Sequence, residues 1–140
     1  MAGVHFTFNN FKALLELNIG IAQRLDENRA ESFTLLYCDF DEIATQSITD
    51  SLATALRQSD SIAHYDTDYF FVLPYTDKYG AEVVKQIFED IFERDIPYFM
   101  ISYPVDGENA NDLLEMLQDS VSTFLKKDLD YLDRFLEEKV

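Results

Sequence analysis

Apolar positions along the chain fall into blocks whose period changes from helix to strand and back. Phe8, Phe11, Leu15, Asn18, Ala22 and Leu25 recur at spacings of three and four, which predicts an amphipathic helix over residues 9–28. Residues 32–40 then form an almost unbroken apolar run ending in Asp39 and Asp41, the pattern of a buried central strand with acids at its carboxyl end. Ile48, Leu52, Ala55 and Leu56 predict a short second helix, capped by Ser47 or Thr49 and ending near Arg57. Residues 61–64 and 69–73 read as a hairpin joined by Asp66-Thr67-Asp68. Past Pro74 a third helix carries Val84, Ile87, Phe88, Ile91 and Phe92 up to Arg94, and residues 98–102 make another strand. After a turn at Pro104-Val105-Asp106-Gly107, leucines and Val121 run at helical spacing from Leu114 through Leu125, Leu129, Leu132 and Leu136, which predicts one long closing helix.

From the first predicted strand onward the order is β-α-β-β-α-β, that of a ferredoxin-like core. The expected class is mixed α/β (α+β): a mostly antiparallel sheet, helices on one face of the core, an N-terminal helix and a long C-terminal helix. One domain over residues 1–140 accounts for the length. Such a core should bury Ile62, Phe71, Ile87, Phe88, Met100, Leu117 and Val121.

Charge narrows the partners. The formal net charge is -16, from 27 acidic against 11 basic residues, so nucleic acid and anionic membrane surfaces are disfavoured. An anionic ligand would need locally concentrated basic groups. The single cysteine, Cys38, sits inside the first strand and reads as a small core residue, and no apolar run reaches bilayer length; both suit a cytoplasmic protein. His5 and His64 have no second ligand at metal spacing.

At this point several segments resemble GGDEF (diguanylate cyclase) domains. Leu35-Leu36-Tyr37-Cys38-Asp39-Phe40-Asp41 resembles the family's first strand, and residues 56–65 resemble the approach to its signature hairpin. The signature falls on Asp66, Thr67, Asp68, Tyr69 and Phe70, while Val72-Leu73-Pro74 and Ser102-Tyr103-Pro104-Val105-Asp106-Gly107 resemble later segments. The resemblance covers nearly the whole chain, each motif being imperfect. It implies the fold of nucleotide cyclase domains more strongly than their activity.

The cyclase reaction needs a metal held by carboxylates, a base and a turn that lets phosphate approach. By position, the resemblance gives Asp39 and Asp68 as a weak metal site for Mg²⁺, with no cofactor required; two strand-end acids on so acidic a chain are equally ordinary solvated residues. The signature glycines are replaced by Asp66 and Thr67, which add two Cβ atoms and a negative charge, and the fourth position is Tyr69, a poor base. The base-recognition segment is missing from the short interval between Asp39 and Asp66. No catalytic residue is therefore assigned, and the expectation is a degenerate, inactive domain. Arg57-Gln58-Ser59-Asp60 retains the family's RxxD inhibitory pattern, which implies that Arg57 and Asp60 bind cyclic di-GMP, with Lys85 as a second basic group. The plain alternative is a helix-end arginine beside a turn-forming aspartate. Three functions stay open: a regulatory domain sensing cyclic di-GMP, a protein-interaction or self-association module without nucleotide, and residual metal-dependent nucleotide processing.

Overall fold

The computed structural model describes residues 3–25 and 29–136. Its elements are β1 (Val4–His5), α1 (Phe11–Arg24), β2 (Glu31–Asp39), α2 (Thr45–Ala55), β3 (Ser61–Tyr65), β4 (Asp68–Pro74), α3 (Lys78–Phe92), β5 (Tyr98–Pro104) and α4 (Ala110–Leu125), with 3₁₀ turns at Phe8–Asn10 and Asp130–Phe135. The five strands form one sheet in the order β1-β3-β4-β2-β5. The β3/β4, β4/β2 and β2/β5 pairs are antiparallel, and only β1/β3 is parallel. The molecule is thus mixed α/β with a mostly antiparallel sheet, compatible with the ferredoxin-like class. β1, two residues long, is below the length at which periodicity carries information.

β2 is apolar throughout because both of its faces are covered. Phe33, Leu35 and Tyr37 pack with Phe70, Val72 and Ile101 beneath α1 and α4. Leu36 and Cys38 pack with Tyr69, Phe71 and Leu73 beneath α2 and α3. The two core helices share a face as expected, and the terminal helices cover the other. Ile62, Phe71, Phe88, Leu117 and Val121 are fully buried. Ile87 and Met100 are only partly buried; Met100 lies on β5, which ends the sheet and has a strand on one side only.

Several predicted boundaries need correction. α1 is preceded by the 3₁₀ turn and ends at Arg24, and residues 26–28 lie outside the described residues. α2 begins earlier than Ser47 or Thr49 would cap it: Ala44 is the N-cap, without a side-chain bond. The largest correction is at the C-terminus. α4 stops at Leu125, where Lys126 turns left-handed at φ 56°, a conformation that ends helices. Leu129 and Leu132 are still buried with the α1/α4 core, as the leucine spacing suggested, but they reach it from a strap, residues 126–136, that folds back over the sheet. Gln118 Nε2 donates to the Leu129 carbonyl at 3.0 Å and to Asp133 at 2.8 Å, and Lys12 Nζ donates to the Phe135 carbonyl at 2.8 Å. The bonds to the Leu129 and Phe135 carbonyls satisfy strap backbone that a continuing helix would have paired internally.

Candidate functional site

The β2/β4 register sets Asp39 directly opposite Asp68, so both acids project from one end of the sheet toward the face carrying α1, α4 and the strap. The strap crosses there. Lys127 Nζ lies 2.5 Å from Asp68 Oδ1 and 3.3 Å from Asp39 Oδ2. Tyr37 Oη donates to Asp68 Oδ1 at 2.7 Å, and Tyr131 Oη donates to Asp68 Oδ2 at 2.7 Å. Asp68 is 5% exposed, yet each of its oxygens has a donor. Asp39, nearer solvent, accepts the Asp41 backbone N–H at 3.0 Å.

A buried carboxylate is tolerated when it is paired and hydrogen-bonded, and here one ammonium and two phenols meet that requirement. Burial alone would lower the Lys127 pKa, but the hydrogen bond and charge of Asp68, with the charge of Asp39, raise it overall. The Tyr37 and Tyr131 hydroxyls are pushed well above the ordinary tyrosine range, first by burial and then by Asp68, so both remain neutral donors near neutral pH. Tyr131 is held by stacking on Tyr65 at 4.1 Å between ring centres and by the edge of Phe8, over which Arg134 also lies. Among the described residues, no three His, Cys, Asp or Glu side chains gather as a metal cage.

The remaining signature positions disperse. Asp66 and Thr67 form the two-residue tip of the β3/β4 hairpin; Asp66 adopts φ 55°, which aspartate tolerates better than most residues, and the Thr67 carbonyl accepts the Phe40 N–H at 2.9 Å. Tyr69 points to the opposite face from Asp68, stacks on His64 at 4.7 Å, and has its hydroxyl pKa raised by burial. Phe70 is a fully buried core residue.

Arg57 and Asp60 come together, but with each other and their own backbone. Asp60, 1% exposed, accepts the Arg57 backbone N–H at 2.8 Å and faces the Arg57 guanidinium at 3.3 Å. The same guanidinium nitrogen donates to the Pro74 carbonyl and the Thr76 hydroxyl, each at 2.8 Å. The turn they build receives β1, since Gly3 N–H donates to the Arg57 carbonyl and Val4 N–H to that of Asp60. Contact with Pro74 puts Arg57 at the far end of β4 from Asp68, roughly 20 Å away at about 3.3 Å per residue. Lys85 is buried between Glu82 at 3.0 Å and Glu89 at 2.8 Å. The acid pair and the RxxD turn are therefore separate places.

No protein-family model and no curated protein matches the chain. Lys127 and Tyr131 were hidden from sequence reasoning because a continuous closing helix would have carried them away from the sheet. The leucine spacing gave no sign of the break, since Leu125 and Leu129 stand four apart across Lys126-Lys127-Asp128 as they would in a helix. No helix among the described residues is long and apolar enough to cross a membrane.

Proposed function

We propose that this chain is a non-catalytic regulatory domain that acts by binding another protein. The observation that carries this reading is Lys127 lying between Asp39 and Asp68. A divalent cation at that pair would have to displace an ammonium already salt-bridged to both acids, and two tyrosine hydroxyls already bond to Asp68. Tyr69 on the opposite face leaves the hairpin without a base beside them. These arrangements agree with the resemblance to a GGDEF domain whose signature has decayed, and they disfavour residual nucleotide processing.

The test is incubation of the protein with GTP and Mg²⁺ or Mn²⁺ at high protein concentration, with products separated chromatographically. No product is expected; product that disappears in Asp68→Asn would overturn the reading. One observation favours a second role, cyclic di-GMP binding: the Arg57 side chain is 57% exposed, although its Nη2 already bonds Asp60, Pro74 and Thr76. Asp60, buried in its turn, has no accessible edge for guanine. Calorimetric titration of cyclic di-GMP decides this: saturable heat abolished by Arg57→Ala establishes the sensor, and absence of heat leaves the interaction module alone.

A further inference from the structure

β5 ends the sheet, and its free edge is only partly closed. Ser102 presents its backbone outward: its N–H donates to Asp106 Oδ2 at 2.8 Å and its carbonyl accepts the Asp106 N–H at 2.9 Å, so the following turn caps that position. In an antiparallel ladder alternate residues share this orientation. Met100 and Tyr98, two and four residues earlier, therefore direct their N–H and C=O groups away from β2, where no described strand lies. An open edge of this kind is a template for another strand.

A groove of about 660 Å³ runs along this edge. Its α4 side is apolar: Phe124 is 68% and Met116 42% exposed, and the Phe124 ring stacks on Phe99 at 5.6 Å. Its ends are acidic. Lys78, which lines it, is shared by Glu31 at 3.7 Å and Asp106 at 2.7 Å, and Lys85, 4.6 Å over the ring of lining residue Tyr98, is shared by Glu82 at 3.0 Å and Glu89 at 2.8 Å. Both clusters retain net negative charge, on a chain of net charge -16. A second copy of so acidic a chain would be repelled, and nucleic acid likewise.

We propose that the β5 edge docks an extended basic segment of a partner protein by strand addition, with backbone bonds to Tyr98 and Met100, alternate apolar residues over Phe99, Met116 and Phe124, and basic residues between them. This rests on the non-catalytic interaction reading and names its surface.

The test uses the full chain without nucleotide or metal and a labelled short peptide alternating valine and lysine, with a valine/glutamate peptide as control. Saturable binding of the basic peptide is expected, together with slowed hydrogen exchange at the Tyr98 and Met100 amides. Phe124→Asp, a surface change that leaves folding intact by circular dichroism, should weaken binding about tenfold or more. The proposal is overturned by no saturable binding, by equal binding of the acidic peptide, by protection confined to other strands, or by a homodimer that Phe124→Asp dissociates. GTP turnover lost in Asp68→Asn would sink the non-catalytic reading separately, since peptide protection at β5 is read without nucleotide.

Discussion

Two ends of the sheet carry polar groups in need of partners, and the chain treats them oppositely. At the Asp39/Asp68 end it spends its own C-terminal strap: an ammonium and a phenol from residues 126–136 join Tyr37 in satisfying the acids. Along β5 it closes Ser102 with Asp106 and leaves Met100 and Tyr98 open beneath exposed Phe124. Polar groups answered internally become part of the fold's stability, whereas unanswered ones beside exposed apolar surface are available to a partner. The acid pair is thus part of the folded framework, and the β5 edge is where we propose recognition.

Removing the strap's anchor should give the largest effect. Leu132 is fully buried in the α1/α4 core, and Leu132→Ala should cost about 2–5 kcal/mol in urea denaturation, as for other buried leucines. A cost under about 1 kcal/mol would mean the strap is not seated. Lys127→Met removes the cation from the buried Asp68 and should cost about 1–3 kcal/mol, discounted because the lysine side chain is 34% exposed.

The same contacts set a pH dependence. Lys127, Tyr37 and Tyr131 all have folded-state pKa values raised, so their contribution is complete below the unfolded pKa values, about pH 10, and is lost as pH rises toward the folded ones. Denaturation midpoints measured from pH 8 to 11 should fall above about pH 10, and Lys127→Met should flatten part of that fall.

Smaller effects separate the two regions further. Tyr131→Phe keeps the ring on Tyr65 but deletes its bond to Asp68, and should cost about 1 kcal/mol by thermal unfolding. Phe124→Asp should change stability by less than about 0.5 kcal/mol, since the ring is mostly exposed; a larger loss would make that surface part of the core.

Much of the fold was legible because its signals are local. The unbroken apolar run of β2, the i, i+4 stripes of α2 and α3 and the hairpin around Asp66 each announce an element within a few residues. Alignment of Asp39 with Asp68 was also within reach, since a strand-end acid and a hairpin acid meet once the strands pair. What fills the pair was not. Lys127 reaches Asp68 across 59 positions, after a left-handed Lys126 that no glycine marks. Leu129 and Leu132 kept a helical spacing although the backbone between them is not α-helical, because burial fixes which residues point inward without fixing the path that brings them there. The RxxD pattern was visible, but the engagement of its guanidinium by Pro74 and Thr76 depends on residues 17 and 19 positions away that the four-residue spacing does not include.

The most direct test of the internal ion pair is a double-mutant cycle between Lys127 and Asp68, with Lys127→Met, Asp68→Asn and the double variant compared by urea denaturation at neutral pH. A coupling of about 1–3 kcal/mol, the double variant being less destabilised than the two single losses added, is the predicted result. Additive losses would contradict the account, because they would mean the strap lysine does not neutralise the acid pair.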